Sequence, residues 1–134
     1  MIIDAKDAIL GRLASKIAKE LLKGENVIVI NSENAVITGN PEAIFKRYYE
    51  KRSRGDPIKG PFYPRYPDKL FIRVVRGMLP YKKEKGKKAL KRLKVFIGNP
   101  KNLKGEKISK TVENIKCKYI TLKDLCKKLG AKLE

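Results

Sequence analysis

The chain has 134 residues, enough for one domain that buries about two-thirds of its unfolded surface. Apolar residues make up 42%, which excludes disorder by composition, and charged residues make up 35%, above the usual quarter. A net charge of +19 calls for a polyanionic partner, nucleic acid before anionic membrane or acidic protein, and the absence of histidine removes the usual acid–base catalyst and metal ligand.

The elements follow in chain order. Met1–Asp4 is a short apolar start that reads as a strand. Asp7 is the expected cap of a helix. Leu10, Leu13, Ala14, Ile17, Ala18 and Leu21 recur at helical spacing, and Gly24 stops the helix. Arg12 lies in this helix as either a solvated side chain or a phosphate contact. Val27–Ile30 is a β-branched run without polar alternation, as in a strand buried on both faces of a parallel sheet.

Ala35–Thr38 reads as a short strand. Asn40, Pro41 and Glu42 then start a helix: a cap, a proline whose missing N–H costs nothing, and an acid at the positive end of the dipole. Gly39 and Asn40 form a turn and cap, or a backbone contact to phosphate. The glycine-rich cradle of a nucleotide loop is absent. The helix runs to about Arg52, with Ile44, Phe45, Tyr48 and Tyr49 partly buried.

Residues 53–68 carry four prolines, two glycines, Phe62, Tyr63 and Tyr66, the composition of an extended basic loop that docks on something. A helix follows with Phe71, Val74, Val75 and Met78 on one face, Arg73 and Arg76 off it, and Pro80 ending it. Residues 84–93 form a basic helix that feeds a strand near Val95. Residues 98–115 are loop-like, and Lys118–Ile120 form a last strand. Thr121 and Asp124 resemble a capping box for a helix to Leu129, closed by Gly130. Strands alternating with helices predict an α/β fold with a parallel sheet covered on both faces.

Charge is uneven. Residues 1–40 are neutral, whereas residues 46–94 hold 18 bases and 4 acids. Along residues 82–94 only Glu84 opposes the lysines and arginines. A membrane-lying helix needs a wider apolar stripe than Ala89, Leu90 and Leu93 supply, and no run approaches the ~18 residues of a membrane span. The N-terminus has neither a basic start nor a cleavage site and does not read as a secretory signal. Tyr63, Tyr66 and Tyr81 lie among bases and either stack on nucleobases or pack under the loop. Cys117 and Cys126 read as reduced thiols. No serine has a histidine partner and the acids are scattered, so no enzyme constellation survives.

"VRGMLPYKKEKGKKALKRLKVFIG" (Val75–Gly98) closely resembles the signature of the large-subunit ribosomal protein thirteen family. "GRLASKIAKELLKG" (Gly11–Gly24) and "VIVINSENAVITGNP" (Val27–Pro41) resemble its N-terminal half, and Gly60–Pro80 looks like its archaeal and eukaryotic branch. Residues 99–116, a variable loop, match least.

The resemblance implies a single domain over residues 1–134. Its fold would be three-layer α/β/α with a mostly parallel four-stranded sheet, plus the basic proline-rich loop and a helical extension. It implies a structural constituent of the large ribosomal subunit, monomeric in the ribosome. Such a protein binds rRNA and neighbouring ribosomal proteins in the cytoplasm, with no membrane, small-molecule substrate, metal or cofactor. The alternative is a translational regulator that binds RNA away from the ribosome. The expected RNA-binding residues are Arg12, Lys46, Arg47, Arg52, Arg54, Lys59, Arg65, Tyr66, Arg73, Arg76, Lys82, Lys83, Lys85, Lys87, Lys88 and Lys91.

Overall fold

A computed structural model describes residues 1–53, 66–107 and 118–129. Three parallel strands form the main sheet: β1 (Ile2–Asp4), β2 (Val27–Ile30) and β4 (Leu93–Val95), with β2 in the centre. Ile2 pairs with Ile28, and Val27 pairs with Leu93. Val27, Val29 and Ile30 are buried, as their β-branched run predicts for a central strand. On the outer edge of β1, Glu106 adds a single parallel bridge: its N–H donates to Ile2 and its carbonyl accepts from Asp4, each at 3.0 Å. Sequence reading took that segment for plain loop.

Helix α1 (Leu10–Leu22) buries all six of the periodic residues named above and packs against β2. Asp7 is not its cap. Asp7 adopts a left-handed turn at φ +61°, and Ile9 stands at the cap position with no side-chain bond. The reason is tertiary: Ala8 and Ile9 stay extended to reach β3 (Val36–Thr38), where the Val36 N–H donates to the Ala8 carbonyl at 2.8 Å.

Strand β3 leaves the parallel sheet. Asn31, at φ +56°, and a 3-10 turn at Ser32–Asn34 redirect the chain after β2. β3 pairs antiparallel with β5 (Tyr119–Thr121), Ile37 opposite Ile120. Ser32, the buried polar residue of the turn, is satisfied because its hydroxyl donates to the Phe96 carbonyl at 3.0 Å.

Helices α2 (Pro41–Ser53), α3 (Pro67–Gly77), α4 (Glu84–Lys91) and α5 (Leu122–Lys128) complete the described residues. The Asn40 side chain caps α2 by accepting from the Glu42 N–H at 2.9 Å, and the Thr121 hydroxyl caps α5 by accepting from Asp124 at 3.2 Å. Ile44 and Tyr48 are buried one turn apart, but Tyr49 points away and is exposed. Met78 is exposed too, because α3 ends at Gly77 and the helical period no longer applies to it; Leu79 turns inward instead. Helix α1 packs against both α3 and α4, and α3 also meets β4 and α5. Cys126 is a buried free thiol, and burial, then the Asp68 carboxylate, push its pKa from 9.0 to about 12. Cys117 lies outside the described residues.

Candidate nucleic-acid interface

The candidate interface is built on the turn between α3 and α4. The Lys83 N–H donates to the Pro80 carbonyl at 2.9 Å and the Tyr81 N–H to that of Leu79 at 2.8 Å. These bonds fold residues 78–83 back on themselves. Gly86 makes the fold possible. It is buried in the first turn of α4, and a β-carbon there would collide with the Pro80 carbonyl and lie 2.8 Å from the Tyr81 nitrogen. Helix α4 is thus pressed onto the turn at Gly86 and onto the core at Ala89, with Leu90 half-buried; Leu93 and Val95 anchor the strand that follows.

With that face committed, the lysines have one direction left. Lys82, Lys83, Lys85, Lys87, Lys88 and Lys91 are all exposed, and among the described residues none sits at ion-pair distance from a carboxylate. Glu84, the acid of the segment, occupies the first turn of α4, where the helix dipole favours it. Lys94 is exposed as well. Sequence reading did not single it out, although the alternation Leu93-Lys94-Val95 carries the signal. A shallow cleft of about 430 Å³ opens between Glu84, Lys87, Leu90 and Lys91.

The other candidates are dispersed. Arg76 is half-buried with its guanidinium 4.5 Å from the centre of the Tyr81 ring, so these two stack on each other at the edge of the lysine cluster. Arg73 and Tyr66 are half-buried, and Tyr66 packs against the core. Lys46 and Arg47 are exposed on α2, and Arg52 falls in the same helix. Arg12 is exposed and lines a separate cleft of about 410 Å³ with Thr38, Tyr48 and Val74. The Gly39 N–H donates to the Lys118 carbonyl at 2.7 Å, just beyond the Thr38–Tyr119 pair of β3 and β5, and the Asn40 oxygen accepts from the Glu42 N–H as a cap. Arg54, Lys59, Phe62, Tyr63 and Arg65 lie outside the described residues.

Arg92 interrupts the basic run with a different job. It is half-buried, and its guanidinium donates to the Leu21 carbonyl at 2.8 Å. Among the described residues, no three His, Cys, Asp or Glu side chains group as a metal site would need, and no helix is long and apolar enough to cross a membrane.

The lysine surface stands on a mixed α/β scaffold, and comparison with known proteins assigns the chain to a family. The family model for ribosomal protein L13 matches residues 1–102. The chain belongs to the ribosomal protein L13 family. The large ribosomal subunit protein uL13 of Methanocaldococcus jannaschii is 52% identical over 136 residues, covering 98% of both chains. Those of Archaeoglobus fulgidus and Haloarcula marismortui are 49% and 44% identical. They cover 96% and 98% of this chain, and 86% and 91% of their own lengths. The ribosomal protein L13 family match ends at Asn102, short of β5 and α5, but the archaeal relatives align across nearly the whole chain.

Proposed function

We propose that this chain is a structural constituent of the large ribosomal subunit that binds and organises rRNA and supports assembly and translation. One observation carries the reading: a member of this family presents six exposed lysines between Lys82 and Lys91 with no carboxylate partner among the described residues. Phosphate contacts there would fix position, and RNA shape would supply selectivity. Arg12, Lys46, Arg47, Arg52, Arg54, Lys59, Arg65, Arg73 and Arg76 extend the contact surface, and Tyr66 lies beside it. Neighbouring ribosomal proteins are the other partners, and the role is not catalytic. The protein acts as one domain, as a monomer in the cytoplasmic ribosome. The Glu106 bridge on β1 supports a fourth position in the parallel sheet, and the fold proposed on it is a three-layer α/β/α arrangement.

Sedimentation of cell extract tests this. The chain should travel with the large subunit through a moderate-salt wash. Protein that stays mostly in the slow fractions would favour a regulator acting off the ribosome.

A further inference from the structure

The neutral first forty residues conceal a basic stripe. Arg12, Lys16 and Lys19 on α1 and Lys23 at its C-cap are all exposed. At 3.6 residues per turn, positions 12, 16, 19 and 23 fall within an arc of about 60°, on the side away from the buried residues, and span roughly 16 Å of helix. The acids that balance them in the sequence are placed elsewhere. Asp4 accepts from the Asn31 amide and the Lys6 N–H, each at 3.0 Å, at the end of β1. Glu33 accepts from the Gly98 N–H and the Asn34 amide across the 3-10 turn. Asp7 lies in the left-handed turn and Glu25 beyond the helix. Glu20 alone stays on α1, on the flank of the stripe, at 3.4 Å from Lys23. A segment with no net charge therefore presents a strongly cationic helix face. Moreover, α1 packs against α4, the helix that carries the main lysine cluster.

We infer that the exposed face of α1 is a second phosphate-binding surface, which takes an RNA backbone alongside the lysines of α4. Charge complementarity names the occupant: the bases repeat every three or four residues along a rigid rod, as a run of phosphates requires, and no apolar or aromatic side chain interrupts the stripe. The inference rests on the rRNA-binding reading above. Its consequence is that the phosphate-contacting surface extends from α4 onto α1 and is not confined to the lysine cluster.

The test is filter binding of the full chain to a full-length large-subunit rRNA transcript across a salt series. Arg12→Gln/Lys19→Gln on α1 is compared with Lys87→Gln/Lys88→Gln on α4. Each pair should lower the slope of log affinity against log salt by roughly 1.4–1.8, the release of two phosphate contacts. Arg12→Lys should keep the slope. Unfolding midpoints equal to the parent's would exclude a folding defect, since all four residues are exposed. If the α1 pair keeps the parental slope while the α4 pair loses it, the α1 surface is wrong and the rRNA-binding function stands. A loss of affinity without change of slope would also overturn it. Binding that ignores salt in the parent itself would overturn both.

Discussion

The Arg92 guanidinium donates to the Leu21 carbonyl at 2.8 Å, while the Arg92 carbonyl accepts from the Val27 N–H at 3.1 Å. One residue thereby holds the end of α1 and the start of β2 against the entrance of β4. The side-chain bond adds a second donor to a carbonyl that already accepts from the Gly24 N–H at 3.1 Å, and a charged donor makes it stronger than a neutral one. Arg92→Ala should cost about 1–2 kcal/mol in denaturant unfolding, toward the lower end for a charged hydrogen bond because the side chain is half-exposed. Its effect on the salt slope of RNA binding should be small, unlike that of its lysine neighbours.

Gly86 and Gly11 give opposite expectations for the same substitution. Both lie in helices, where alanine normally stabilises by up to about 1 kcal/mol. At Gly11 nothing lies within 4 Å of the added carbon, so Gly11→Ala should stabilise by about 0.5–1 kcal/mol. At Gly86 the new methyl meets the Pro80 and Tyr81 backbone, which cannot move without opening the turn. Gly86→Ala should destabilise by about 1–3 kcal/mol, as overpacking does. It should also weaken RNA binding, because the lysines on both sides of the turn lose their placement. Thermal unfolding of the two variants side by side checks the pair.

Cys126 sets a limit on the alkaline side. Its thiol is held at about 12 in the fold against an ordinary value of 9.0. A raised folded value means that its contribution is complete below pH 9 and is lost as pH climbs from 9 toward 12. In a Cys117→Ser background, unfolding measured against pH should show that decline, and Cys126→Ala should flatten it. At pH 8 the native thiol should resist alkylation, and unfolding should expose it.

Much of this architecture was legible in the sequence where the signal is local. The period of Leu10 to Leu21, the β-branched run Val27–Ile30 and the caps at Asn40 and Thr121 each depend on neighbours a few residues away. What failed depends on distant partners. Asp7 looks like a cap until Ala8 and Ile9 are drawn to Val36. The pairing of β3 with β5 joins residues more than eighty positions apart, and Glu106 reaches β1 across the whole main sheet. Tyr49 and Met78 were misjudged by single steps around or beyond a helix. At the candidate interface, residue type located the lysines of α4, but net charge by segment could not reveal how the fold sorts bases from acids along α1.

The lysines themselves carry the central expectation. Lys82, Lys85, Lys87 and Lys88 should be replaceable by glutamine with little loss of stability, since each is exposed and none is ion-paired among the described residues. The most direct test is the affinity of that fourfold variant and of its parent for large-subunit rRNA between 50 and 200 mM salt, a window in which the phosphate term changes steeply. The slope should fall by about 0.7–0.9 for each lysine that neutralises a phosphate, with the folded state unchanged. A fourfold variant that binds with the parent's affinity and the parent's slope would contradict the assignment of this surface to RNA.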